Sequence, residues 1–238
     1  MKTILHKANT RGHMNYGWLD TYHTFSFGNY FDPERIEFGA LRVINEDRVI
    51  GGEGFGTHPH RNMEIITIPL AGALQHGDSM GNSGIIQKGE IQVMSAGTGI
   101  THSEMNANEG EAVHFLQIWI QSKKVGVEPR YGQITIKENH KKNDFQTIVT
   151  PEEKQEEHSA WIHQDAWFSL ANFEKDFSKE YKIKKSGNGA YIFVIKGKTK
   201  IGDQILEEKD GLAIYDTKNF DLEALEKSEI LIIDVPVI

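Results

Sequence analysis

From Phe38 to Gln121 the chain is a succession of short apolar or alternating runs, ALRVI, MEIITIPL, GIIQKG, IQVMSAG and VHFLQIWIQ, separated by glycine and asparagine. Runs of this length, rich in β-branched side chains and bounded by turn formers, fit the strands of a sandwich or barrel. The 3.6-residue periodicity of an amphipathic helix is nearly absent. After Trp161 the pattern resumes in WFSLANF, YKIKK, GAYIFVIKGKTKI, QILEEKDGLAIYD and EILIIDVPV. Between them, residues 122–165 are polar and read as a bridge. Within it TPEEKQEEH predicts a short helix with Thr150 as cap and Pro151 in the first turn.

The two halves share a weak pattern. EIITIPLAGALQH is followed by GEIQVMSAG in the first, and YIFVIKGKTKIGDQ by KDGLAIYD in the second. Each is an apolar strand, a glycine turn, a second strand, and a later glycine opening another. Such a repeat predicts two similar β modules in tandem. The reading is an all-β chain with one module over residues 1–125, a polar connection over 126–160 and a second module over 161–238.

Composition narrows the chemistry. The chain has no cysteine, which removes disulfides, thiolate catalysis and thiolate metal ligands together. Any metal must be held by histidine, carboxylate or amide oxygen. The formal charge of -8 argues against direct binding to nucleic acid or to an anionic membrane. The lysines of KKNDFQ and YKIKKSGNG have acids nearby and read as solvated faces. No apolar run approaches a membrane span, and the start of the chain lacks a signal-peptide core, so the cytoplasm is the expected location. There is no GxSxG elbow, P-loop or dinucleotide fingerprint.

The histidines carry the functional signal. In a strand, side chains at i and i+2 share a face, so His58 and His60 of THPH converge, as do His102 and Glu104 of GTGITHSEMN. Brought together across a barrel wall, three imidazoles and a carboxylate suit Fe(II), Mn(II), Ni(II), Cu(II) or Zn(II), with positions left for water or substrate. A lone HxH is more often a solvated strand end, but two such pairs at glycine-rich strand boundaries favour a metal. Glu64 reads as a weaker candidate, sharing the parity of His60 and steering an imidazole from outside. His76 and Asp78 read as a hydrogen-bonded hairpin end. His13 and His23 lie in an aromatic stretch that covers the barrel mouth or fills the core. His114, His140, His158 and His163 carry no pattern.

These residues resemble a known family. Gly52-x5-His58-x-His60-x3-Glu64 with Gly72 beyond is similar to the first cupin motif, and Gly89 with SAGTGITHSEMN to the second. HPHRNMEIITIPLAG, HGDSMGN and WLDTYHTFSFGNYFDP resemble the pirin branch in particular. Two departures from the general cupin pattern, seven residues between Glu64 and Gly72 and Ser95 in place of proline, also fit pirins. The resemblance implies a bicupin, two jelly-roll-type β barrels packed together with short helical segments in the connection. It implies one divalent metal in the first barrel on His58, His60, His102 and Glu104, with Fe(II) favoured and Mn, Ni, Co, Cu or Zn open. KIKKSGNGAYIFVIKG and DGLAIYD hold no histidine, so the second barrel is expected to be metal-free.

The implied activity is that of a quercetin 2,3-dioxygenase, opening the heterocycle of a flavonol-like aromatic substrate with O2 and releasing CO, with Glu104 as catalytic base. Phe55, Met94, Phe115 and Trp119 are candidate walls, and His23, Phe25 and Phe27 a candidate lid, though core packing explains aromatics in a barrel as readily. The other implied reading is a metal- or redox-sensing regulator with a protein partner.

Overall fold

A strand that is apolar at nearly every position has to be covered on both faces. YIFVI, EILIIDV and EIITIPL are such strands, and each sits inside a large sheet with a layer on either side. The computed structural model describes residues 1–136 and 142–237; the predicted bridge residues His140 and Lys141 lie outside them.

The first half of the chain supplies β1 (Lys2–His6), β2 (Gly12–Asn15), β3 (Leu19–His23), β4 (Leu41–Val49), β5 (Gly54–His60), β6 (Met63–Ala71), β7 (Ala73–Asp78), β8 (Ser83–Gln87), β9 (Glu90–Ser95), β10 (Ile100–Asn106), β11 (Val113–Gln121) and β12 (Arg130–Thr135). The second supplies β13 (Phe145–Pro151), β14 (Ala160–Ile162), β15 (Trp167–Phe173), β16 (Ser178–Lys182), β17 (Asn188–Lys196), β18 (Thr199–Ile201), β19 (Gln204–Leu206), β20 (Gly211–Tyr215), β21 (Asn219–Ala224) and β22 (Ser228–Pro236). Among the described residues no helix is long and apolar enough to cross a membrane.

Each half folds as a seven-stranded sheet facing a four-stranded one. The orders are β12-β9-β6-β11-β4-β3-β2 with β5-β10-β7-β8, and β1-β20-β17-β22-β15-β13-β14 with β16-β21-β18-β19. Strands β4 to β11 and β15 to β22 occupy matching places, so the weak sequence repeat is a full topological one. This is the all-β bicupin that the sequence predicts. Strand β1, from the start of the chain, closes the edge of the second large sheet, where it pairs with β20.

The two large sheets pack against each other. Leu116, Ile118 and Ile120 of β11 alternate outward into one apolar cluster with Tyr191, Phe193, Leu231 and Ile233 of the other half. The opposite faces line the barrels. In the second barrel Ile192, Ile232, Phe173, Tyr181, Phe220 and Leu222 meet and fill the interior. At the seam Gly39 has φ +54, and a Cβ there would lie 2.0 Å from the Pro236 carbonyl oxygen; only glycine lets the halves approach so closely.

The polar stretch 122–165 carries β12, β13 and β14, which extend the large sheets at their edges. The expected helix there is a single 3-10 turn, Glu152–Lys154, whose cap is Pro151 and not Thr150. The Thr150 hydroxyl is instead buried against Ser159 and the Ala160 carbonyl, because β13 runs through Pro151 and leaves no open turn for a threonine cap.

A buried ionic node ties the halves. Glu46 on β4 accepts from Arg11 Nη1 at 2.8 Å, His114 Nε2 at 2.9 Å and Lys209 Nζ of the second half at 3.0 Å. Burial alone would raise the carboxyl pKa, but the His114 hydrogen bond and the charges of Lys209 and Arg11 overcome it and bring it down to about 2. The node therefore stabilises the fold above the ordinary carboxylate range and loses that contribution as pH falls toward 2. Glu46→Gln is expected to destabilise the protein by about 3 kcal/mol at neutral pH, because it strands buried cations. In denaturant titrations from pH 7 downward, the gap to wild type should close below pH ~4.5; a gap independent of pH would contradict this account.

Candidate metal centre

The small sheet of the first barrel presents its inward side chains in register. His58 on β5 lies directly opposite His102 on β10, with Asp78 of β7 on the far side, and Glu104 lies opposite His76. His60 follows His58 at i+2 on the same face. A bulge between His102 and Glu104 shifts the pairing with β5. There the backbones close in: a Cβ on Gly54 would sit 2.3 Å from the Glu104 carbonyl oxygen.

One ligand nitrogen from each of His58, His60 and His102 lies within 4.8 Å of the others. His58 donates its Nδ1 proton to the Gly56 carbonyl at 2.8 Å. That fixes the tautomer and turns the Nε2 lone pair toward His102 Nε2, 2.9 Å away. Burial, then the neighbouring His58, pushes His60 down to about 4 and His102 to about 3. His60 and His102 are thus neutral near pH 7, and the ligand nitrogens of all three imidazoles converge on one point. Such a donor set fits a divalent cation, and beside it His60 also lines a recess of about 490 Å³ with Arg61, Ile100 and Thr101.

Glu104 is 3% exposed. Gln117 Nε2 donates to both its carboxylate oxygens, at 3.0 and 2.9 Å, and the Thr67 hydroxyl lies 3.3 Å from one of them. Burial raises the carboxyl pKa, and the Gln117 bonds and nearby imidazoles oppose it.

Other candidates fall elsewhere. Glu64 faces away from the triad: its carboxylate accepts from Ser95 Oγ at 2.6 Å on the outer face of the large sheet. Parity counted from His60 fails because the chain turns at Asn62 (φ 50) and changes sheets before Glu64. His76 and Asp78 do form a hydrogen-bonded hairpin end, where β7 turns into β8 and Asp78 accepts from Met80 and Asn82, but this end is buried beside the triad. His76 is fully buried on β7, donates to Asp78 Oδ2 at 3.1 Å, accepts from Gln92 Nε2 at 3.1 Å, and lies 5.4 Å from the His102 ring. An alternating HGD read as a strand rather than a turn would have found it. His13 pairs with Asp20 at 2.7 Å. Phe25 belongs to the cluster between the halves, while Phe55 and Phe115 pack in an apolar cluster with Leu74 and Val113. Met94 and Trp119 lie at the triad end, where Trp119 meets His60 edge to face at 4.9 Å.

Comparison with known proteins agrees with this geometry. The pirin family model matches residues 5–120, and the model described as the quercetinase C-terminal cupin domain matches residues 147–235. A quercetin 2,3-dioxygenase of Escherichia coli K12 is 44% identical over 232 residues, 98% of each chain. A pirin-like protein of Caulobacter vibrioides is 35% identical over 94% of this chain and 95% of its own. The crystal structure of the bacterial pirin YhhW of E. coli in complex with nickel(II) superposes with a TM-score of 0.93 at 42% identity, covering 100% of both chains.

Replacing His58, His60 or His102 with alanine is expected to weaken divalent-metal binding by roughly a hundredfold or more, while Glu64→Gln leaves it unchanged. Competition against a chromophoric chelator measures both. Undiminished binding by the histidine variants would move the site elsewhere.

Proposed function

The chain belongs to the pirin family, and on that premise we propose that it is a metal-dependent dioxygenase that opens the heterocycle of a flavonol such as quercetin with O2 and releases CO. The observation that carries the reading is the pairing of three converging imidazoles with a buried carboxylate held at their side. His58, His60 and His102 would hold the metal with Glu104 as fourth donor, and Fe(II) is the metal we assign. When bound, the metal would acidify the flavonol 3-hydroxyl and give O2 an inner coordination position.

The rest is the work of the chain's own groups. Glu104 receives the proton of the 3-hydroxyl at a carboxylate oxygen. Its buried position raises its proton affinity toward the working range of a general base. Gln117 keeps the group aimed, because its amide bonds both oxygens and one contact survives protonation of the other. Trp119, edge-on to His60, and Phe27, edge-on to Trp119 at 5.2 Å, wall the approach with aromatic carbon and keep water from the reacting ring.

The test is quercetin turnover under air by protein stripped of metal and then reloaded singly with Fe(II), Mn(II), Co(II), Ni(II), Cu(II) or Zn(II), following flavonol absorbance and CO. One metal or more should restore turnover, and His60→Ala should abolish it. Glu104→Gln should lower turnover roughly a hundredfold to ten-thousandfold while metal remains bound at saturating supply. Full turnover by that variant overturns the base role. Stoichiometric metal binding with no turnover under any metal overturns the dioxygenase and leaves a metal-responsive regulator.

A further inference from the structure

The interior face of the first large sheet carries one polar residue on each of five neighbouring strands at a single level. Gln92 lies opposite Thr67, Thr67 opposite Gln117, Gln117 opposite Asn45, and Asn45 opposite His23. All five are buried. Directly opposite residues share a face and sit close enough for their side chains to interact, so this is a continuous belt across the barrel wall. Its near end is accounted for: Gln117 and Thr67 hold Glu104, and Gln92 holds His76. Its far end is not. Asn45 Oδ1 and His23 Nδ1 are both buried without a hydrogen-bond partner among the described residues.

A second path joins the same two places. From His60 the rings of Trp119, Phe27 and His23 follow one another edge to face at 4.9, 5.2 and 5.2 Å. The polar belt and the aromatic row both begin beside the metal triad and both reach His23. The other ring nitrogen of His23 is turned to the Phe27 carbonyl, which leaves Nδ1 with a lone pair. Two acceptors therefore stand side by side with no donor between them, and a buried acceptor without a donor destabilises a fold unless something supplies the proton.

We propose that Asn45 and His23 form a subsite that accepts a hydrogen bond from a phenolic hydroxyl of the substrate, on the part of the molecule remote from the metal. The inference rests on the dioxygenase reading for the presence of an aromatic substrate and adds its chemistry. The subsite selects a neutral hydroxyl. A methyl ether offers no proton, and a carboxylate brings a third set of lone pairs. Trp119 Nε1, also buried and without a partner among the described residues, gives the opposite preference beside His60: an N–H awaiting a carbonyl or hydroxyl oxygen. A flat polyhydroxylated aromatic satisfies both ends at once. Asn45 and His23 act here as specificity-determining groups and take no part in the proton transfer to Glu104.

Binding decides this independently of turnover. Calorimetric titration of the full-length protein, metal-free and metal-loaded, would use three probes: quercetin, quercetin methylated on its B-ring hydroxyls, and 3-hydroxyflavone, which lacks every hydroxyl but the one at position 3. Wild type is expected to bind quercetin roughly tenfold or more tighter than the other two, as a site built to hydrogen-bond a hydroxyl rejects analogues without it. Asn45→Leu and His23→Phe should each bring that ratio near one with little change in affinity for 3-hydroxyflavone. The wild-type comparison stands even if a variant fails to fold. Equal affinities in wild type, a ratio that survives both variants, or no binding of any probe would overturn the subsite. Selective binding without turnover keeps the subsite and rejects the dioxygenase. Turnover of all three probes with equal kcat/KM and equal affinity does the reverse.

Discussion

Strand β11 has to satisfy two burials at once. Its even-numbered residues Leu116, Ile118 and Ile120 lock the first barrel onto the second, and its odd-numbered residues Phe115, Gln117 and Trp119 form the inner wall that supports the metal centre. Because side chains alternate strictly, neither face can be changed in register without the other. The second half contributes no ligand, yet it fixes the strand from which Gln117 reaches Glu104. The contact between halves is thus part of how the site is held, and the Glu46 node with Lys209 adds a charged clasp to the same seam.

The two barrels share a topology and differ in what fills them. Strand β10 presents His102, Glu104 and Asn106 inward, whereas its counterpart β21 presents Phe220, Leu222 and Ala224. One set gives His102 to the converging imidazoles and sets polar groups beside it; the other packs with Ile192, Ile232 and Tyr181 into a solid apolar core. A filled interior stabilises by burying area, which the first barrel forgoes along its polar belt. The second barrel then serves as the rigid half against which a functional, less fully apolar half is braced.

The fold was legible in sequence because the central strands are apolar, and the triad because His58, His60 and His102 keep i, i+2 spacing on strands that do pair. Legibility failed where the chain changes sheet. Glu64 follows His60 by four positions, but the positive φ at Asn62 and the move from β5 to β6 invalidate parity. Strands β3, β12 and β13 were hidden by polar and aromatic composition, since they sit toward sheet edges or carry side chains that face the site. His76 was hidden by its neighbours, because HGD followed by SMGN looks like a turn until Gln92 and Tyr131 cover it. His23 was legible only as part of an aromatic stretch and Asn45 only as one of the polar run Asn45-Glu46-Asp47-Arg48, and only the register of five strands sets the two in one row.

The choice of glutamine at position 117 bears on what Glu104 can do. Burial drives that carboxyl toward its neutral form, and whatever donates to it drives it back. Two amide N–H contacts and a hydroxyl at 3.3 Å are uncharged donors, whereas a guanidinium or ammonium in the same place would add a full positive charge that holds the carboxylate ionised. The stronger donor would pin Glu104 as a carboxylate too weakly basic to take a proton near neutral pH. With no donor, the buried group would stay protonated and could neither accept a proton nor face a cation. Gln117 sits between those limits: it orients both oxygens through one planar amide, and leaves the proton affinity to be settled by burial on one side and the neighbouring imidazoles on the other.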